Sequence, residues 1–407
     1  MIQKVLKWIK VACNRAVKNI AFLPALIALT FFVLSYFMIE LDFSEKGKSI
    51  KLHLQWLRLK DASTARSIIT VIVGGIISLT VFSFSMVMIL LNQAASQMSN
   101  RVLDKLIGNR FQQFVLGFYI GTIVYALFLL SAIRDINSGI YVPAISTYLL
   151  ILLTVIDIFL FIYFLHYITQ SVKYETIIKK ISDSTRALLK KSCTKQCIEP
   201  DMIPIGRDEK INAHKSGLYQ GFDKDRLLRF CQAEDIVVSF IYPVGTFVLK
   251  DNPLFVVTAT KDISADFEKK LRTVINIYRG HSPDTSYYYG FRQLTEIAMR
   301  ALSPGINDPG TAIISLRSIC DLLTHRLHYY PETSISDKNG NLRVVSNEKK
   351  FADLFSDTML PIWQYGKKDR MIQQEMSHLL TQLKMQSDQP IINKLLTSVN
   401  MASKEIN

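Results

Sequence analysis

The chain has 407 residues, a formal net charge of +14, 49% apolar residues and a mean hydropathy of +0.20. So apolar a composition excludes an ordinary soluble or disordered chain, and the length allows two or three domains. Much of the basic excess lies beside apolar runs, which points to anionic lipid headgroups as the charged partner and away from nucleic acid.

Four stretches, Ile20–Ile39, Ile68–Leu91, Phe111–Ile133 and Val142–Ile168, are long and apolar enough to cross about 30 Å of hydrocarbon, which takes roughly 20 helical residues. Each exceeds a signal-peptide core, and the first lacks a small-residue cleavage site, so all four are expected to be retained. Lys4, Lys7, Lys10, Arg15 and Lys18 precede the first span. Arg101, Lys105 and Arg110 follow the second, and Lys173, Lys179, Lys180, Arg186, Lys190 and Lys191 follow the fourth. These flanks outweigh the opposite side in positive charge, so residues 1–19 and everything after the fourth span are expected in the cytoplasm, with residues 41–66 as an outer loop.

Within the spans, polar residues are the informative ones. Ser78, Ser85, Asn92 and Ser99 recur every seven residues on the second span, with Gln93 and Ser96 beside them, and Gly74 and Gly75 offer a close approach near its outer end. This stripe predicts either helix packing through small residues or the lining of a polar path in a homo-oligomer. Asp157 sits mid-span on the fourth, where an ionised carboxylate costs about 2.5–3.5 kcal/mol on insertion scales. It is either a protonated packing group or an ion or proton site. His166 lies at the inner end of the same span and reads as an interfacial hydrogen-bonding residue.

Beyond the membrane, residues 171–200 predict a basic amphipathic stem continuing the fourth helix and a proline-marked linker. Residues 201–260 carry short β-branched runs between glycine and proline turns, which predict a small barrel-sandwich-like β domain. Residues 261–407 read as a helical bundle interrupted by a hairpin near 333–346, where Asn339-Gly340 separates polar and β-branched runs. The fold class expected is thus a four-span α-helical membrane protein followed by a cytoplasmic α+β domain.

The stretch "RALSPGINDPGTA" breaks that bundle. Ser303, Pro304 and Gly305 end one helix, and Asp308 as N-cap with Pro309 at the first position starts the next, with Leu302 and Ile306 expected to tuck into the core. Arg300, Asn307 and Thr311 beside the new N-terminus, with Arg279 as a further wall, also form a candidate site for a small anion such as phosphate.

"ARSIITVIVGGIISLTVFSFSMVMILLNQAASQMSNRVLDKLIGNRFQQFVLGFYIGTIVYALFLL", "FLHYITQSV" and "YYYGFRQLTEIAMRALSPGINDPGTAIISL" together resemble the bacterial predicted-membrane-protein family called domain of unknown function 2254. The resemblance covers nearly the whole chain and implies a four-span inner-membrane protein, without an activity.

Signals for soluble enzymology are weak. No glycine-rich phosphate loop of standard spacing, H-E-x-x-H or G-x-S-x-G is present. Cys193 and Cys197 form a C-x3-C without a second ligand pair, so neither a metal nor a cofactor is expected. Three functions compete. The stripe and Asp157 favour an oligomeric channel or transport protein with a cytoplasmic regulatory domain. A membrane-tethered sensory or scaffold module is the alternative, and a membrane enzyme the third.

Overall fold

The computed structural model describes residues 21–53, 61–97, 110–133, 142–194, 206–260, 264–278 and 286–405. The chain divides into two compact units, Met1–Lys173 and Tyr174–Asn407.

The first unit contains α1 (Phe22–Phe43), α2 (Glu45–His53), α3 (Ala62–Gln97), α4 (Arg110–Ala132) and α5 (Ala144–Ser171). All but the short α2 are long and apolar enough to cross a membrane. Their outward faces are largely apolar, with Leu29, Val71 and Phe159 exposed, as suits helices that face lipid.

α1 packs closely on α4, and glycine makes this possible. A Cβ at Gly117 would lie 2.9 Å from the Pro24 backbone, and one at Gly121 would lie 2.8 Å from the Phe31 ring. Gly117 and Gly121 form a G-x-x-x-G pair, the spacing that brings both glycines to one helix face. Phe31 then meets Phe118 edge-on, ring centroids 5.0 Å apart. Gly74 and Gly75, expected to admit a neighbour, stand open within this chain, with nothing within 4 Å of a Cβ at either.

One carboxylate ties three of these elements together. Asp42 at the end of α1 is fully buried. It accepts hydrogen bonds from Ile145 N (3.1 Å), Ser146 N (2.7 Å) and Ser146 Oγ (2.5 Å) in the first turn of α5. The α5 N-cap position is Pro143, which makes no side-chain cap, so Asp42 caps the helix from another span. Lys51 of α2 completes the arrangement, 3.1 Å from the carboxylate and 2.7 Å from the Asp42 carbonyl.

In the second unit, α6 (Tyr174–Ser192) is a new helix, since α5 ends at Ser171. Ile177, Ile178, Ile181 and Leu189 bury its apolar face against α9 (Tyr287–Ala301) and α10 (Pro309–His328). A Cβ at Gly290 of α9 would collide with Thr185, so glycine is required at that crossing. The segment expected to be a stem is therefore a wall of the second unit.

After the short β1 (Cys193–Thr194) come β2 (Arg207–Asn212), β3 (Gly217–Phe222), α7 (Lys224–Glu234), β4 (Val237–Phe240), β5 (Phe247–Val248) and β6 (Pro253–Ala259). Then follow α8 (Ala265–Val274), β7 (Ile275–Tyr278), and, beyond α10, β8 (Tyr330–Pro331), β9 (Ser334–Ser336) and β10 (Leu342–Val345). Three helices close the chain: α11 (Phe351–Gly366), α12 (Arg370–Gln386) and α13 (Pro390–Glu405). A five-stranded mixed sheet runs β2-β6-β4-β10-β9, antiparallel except between β4 and β10. A three-stranded antiparallel sheet runs β5-β3-β7. The sheets share one core with α7 and α8, built on residues such as Tyr219, Leu227, Phe255 and Leu271. Both draw strands from beyond residue 260: the five-stranded sheet takes the expected hairpin, β9 and β10, and the three-stranded sheet takes β7, from chain read in the sequence as helical. The strands of the region expected to form one barrel-sandwich-like unit divide between the sheets: β3 and β5 join one, and β2, β4 and β6 the other.

The hairpin at 334–345 turns through Gly340 at φ +84° and is pinned by Arg343. The Arg343 guanidinium donates to Asp337 in the turn (2.8 Å) and to Asp235 (2.6 Å), the left-handed C-cap of α7. The hydrogen bond from Arg343 holds the Asp337 carboxyl below its ordinary value.

Two tests follow from these bonds. Asp42→Ala should lower the melting temperature of the detergent-solubilised protein, by an amount consistent with about 0.5–2 kcal/mol for a lost cap, with Asp42→Asn less harmful. For Arg343, the folded-state value of Asp337 is the lower one, so the stability is present above about pH 4 and lost as pH falls through that folded value. Arg343→Met should therefore destabilise most near neutral pH, and the gap to wild type in thermal unfolding should narrow on acidification.

Candidate functional site

Inside the four-helix unit, three helices bring polar groups together. Asp157 of α5 and both Tyr119 and Thr122 of α4 are fully buried, and Ser83 of α3 is nearly so. Each is placed by the apolar face of its own helix. Ser83 continues the buried line Ile69–Ile76 at seven-residue spacing, and Asp157 shares its face with Leu150, Leu153 and Phe164. Ile76, Val115, Phe164 and Ile168 pack around Tyr119 as an apolar wall.

The Ser83 hydroxyl neighbours the Tyr119 phenol, and Thr122 neighbours the Asp157 carboxylate. Thr122 donates to the Phe118 carbonyl at 3.0 Å, which leaves its oxygen free to accept. Neither Asp157 oxygen, nor Ser83 Oγ, nor Tyr119 Oη finishes a hydrogen bond among the described residues. Buried polar groups are almost always paired, so four such atoms in one place call for a functional explanation. The donor set is oxygen only, with one carboxylate and three hydroxyls. It matches a proton or a hard, singly charged cation, since divalent ions draw on more carboxylates and softer metals on nitrogen or sulfur. No cluster of three or more His, Cys, Asp or Glu with metal-binding spacing occurs among the described residues.

The serine stripe lies elsewhere. Ser78, Ser85 and Asn92 are exposed on the outside of the helical unit, and the Ser78 hydroxyl bonds the Gly74 carbonyl of its own helix at 2.9 Å. Two residues along a helix is a rotation of about 200°, so Ser85 points away from the interior that Ser83 faces. His166 is also exposed on α5. Asp157 is thus not brought together with the stripe or with His166 in one chain. The side chains of Gln93 and Ser96, and Arg279 as a whole, lie outside the described residues, as does Cys197. Ser83, Tyr119 and Thr122 were missed in the sequence because a lone hydroxyl in an apolar run gives no periodic signal.

The Arg300–Ala312 break forms the expected elbow between α9 and α10. Ser303 Oγ donates to the Arg300 carbonyl (2.6 Å), and Asp308 N reaches back to the Ala301 carbonyl (2.8 Å). The left-handed residue is Asn307 at φ +48°, so the turn past Pro304 does not depend on a left-handed Gly305. Ile306 is exposed, unlike the partly buried Leu302. Asp308 accepts from Thr311 N (3.1 Å) and Thr311 Oγ1 (2.6 Å), with Pro309 as the first helical residue. Its carboxylate thus stands where an anion would meet the helix N-terminus. Arg300 and Asp308 both influence Tyr174, whose phenol is pushed up mainly by burial. Asp308→Ala should cost about 0.5–2 kcal/mol in thermal unfolding, with Asp308→Asn retaining most of the cap.

Four helices long and apolar enough to cross a membrane, followed by a mixed helical and sheet domain, fit a multi-span membrane protein. The chain belongs to the family described as predicted membrane protein, domain of unknown function 2254 (DUF2254), which matches residues 17–382. It is similar to uncharacterised proteins of Mycobacterium tuberculosis and Mycobacterium bovis, 25% identical over 331 residues. That alignment covers 78% of this chain and 63% of the relatives' length, so the chain spans less than two thirds of the curated proteins it matches. No solved structure matches it.

Proposed function

We propose that this protein binds and passes a proton or a small monovalent cation through its four-helix unit, with Asp157 as the binding group. The observation that carries the reading is the buried Asp157 carboxylate without a hydrogen-bond partner among the described residues, beside Ser83, Tyr119 and Thr122. A carboxylate in that setting requires a proton, a counter-ion or water, and exchange among these is what ion-coupled membrane proteins exploit. This reading is transport through a site buried within each chain. The outward stripe of Ser78, Ser85 and Asn92 suits a contact between copies of the chain, where small and amide side chains pack and bond across helices. The basic flanks favour the inner membrane of a bacterium with both termini in the cytoplasm, which makes the second unit a cytoplasmic, regulatory one.

The test is flux in proteoliposomes containing a pH-sensitive or sodium-sensitive dye, under an imposed gradient. Asp157→Asn keeps size and hydrogen bonding but removes titration, and should lower flux at least tenfold while the protein purifies and melts as wild type does. Ser85→Leu should leave flux in place, because that side chain faces outward. Wild-type flux in Asp157→Asn would overturn the reading, and loss of flux in Ser85→Leu alone would return the path to the stripe.

A further inference from the structure

The second unit holds a cavity of about 340 Å³ between the β3 region, α9 and α11. That volume lies at the small end of the range of about 300–1,000 Å³ for small-molecule sites. Its floor is aromatic and aliphatic, with Tyr288, Phe291 and Leu354 among the residues lining it.

Tyr288 decides what the floor offers. Its hydroxyl donates to Glu348 Oε2 (2.7 Å) and accepts from Tyr287 Oη (2.8 Å) and from Lys349 N (2.9 Å). The hydroxyl is engaged in this way and the ring meets Tyr287, centroids 4.2 Å apart, with Lys349 Nζ 5.8 Å from its own centroid, so what Tyr288 adds to the cavity is apolar ring surface beside a cation. Burial raises both the Tyr288 phenol and the Glu348 carboxyl, so the network behind the floor resists ionisation of the phenol.

The walls carry charge in matched pairs. Arg292 Nε lies 3.1 Å from Glu296 Oε1, and Lys349 Nζ lies 2.6 Å from Asp357 Oδ2. All four line the cavity. A simple anion reaching either cation would sit beside a carboxylate already held there, and a simple cation would meet the reverse. A molecule carrying both signs can join a pair without leaving a like charge next to it.

We infer that this cavity is a binding site for a small zwitterion with an apolar body, the chemistry of a free amino acid with a large apolar side chain. Its carboxylate faces Arg292 or Lys349, its ammonium faces Glu296 or Asp357, and its side chain lies on Tyr288 and Phe291. The site stands apart from Asp157 and does not depend on the ion-transport reading.

The probe is L-phenylalanine added to the full-length protein in detergent, with binding read by calorimetry and by thermal shift, since a ligand of the native state raises its melting temperature. Phenethylamine lacks the carboxylate, hydrocinnamate lacks the ammonium, and inorganic phosphate tests for a plain anion site. L-Phenylalanine should bind at least tenfold more tightly than either single-charge analogue. Arg292→Gln at an exposed position and Glu296→Gln at a partly exposed one should melt as wild type does without ligand and lose most of that preference. Failure of L-phenylalanine to bind, equal binding of the two analogues, stronger protection by phosphate, or an unchanged preference in both variants would each overturn the inference.

Discussion

A carboxylate withdrawn from water must be met by donors, and the way Asp42 is met sets the geometry of the membrane unit. Its oxygens take the free N–H groups at the start of α5, and Lys51 closes the arrangement from α2. The end of one span is thereby fixed to the beginning of another. α1 is held in turn against α4 by Gly117 and Gly121, which admit its backbone and the Phe31 ring. The level of α4 relative to α5 follows, and with it the meeting of Tyr119 and Thr122 with Asp157.

The two buried aspartates show why depth matters. The first turn of a helix carries N–H groups that have no partner within the helix, so a carboxylate brought there is satisfied by backbone alone. Halfway along α5 every backbone N–H is already committed to the carbonyl four residues earlier. Asp157 has only side chains to turn to, and those beside it are hydroxyls whose protons and lone pairs can rearrange. The same residue type is a rigid clamp at a helix end and, at mid-span, a carboxylate with only hydroxyls for polar neighbours.

What could be read from the sequence follows the same physics. The four spans, the Asp308–Pro309 helix start and the 334–345 hairpin were legible because length, capping and turn chemistry are local. The inward face of α3 was not. On a helix apolar all round, lipid and protein interior favour the same residues, so the seven-residue recurrence of Ser78, Ser85 and Asn92 could not say which way it pointed. Ser83, the residue that does face inward, stands in line with Ile69 and Ile76, and a line of two isoleucines and a serine is unremarkable among so many apolar residues. The glycines that seat a neighbour, Gly117 and Gly121, were not singled out in the sequence, whereas Gly74 and Gly75, read there as a point of close approach, have nothing within 4 Å in this chain.

The second unit hides its cavity for a different reason, which is distance along the chain. The parallel pairing of β10 with β4 brings Val344 opposite Val238, across a separation that no local pattern encodes. That pairing also leads the chain from β10 directly to Glu348 and Lys349, and so to the back and wall of a cavity whose other sides come from β3 and α9. Arg343, one strand position away from Val344, is bonded to the turn behind it and to the end of α7. The register that buries Val344 and anchors Arg343 therefore also determines where Lys349 stands, and a one-residue slip would send each alternate side chain to the opposite face. The place of Lys349 in the cavity wall is in this sense a product of sheet register.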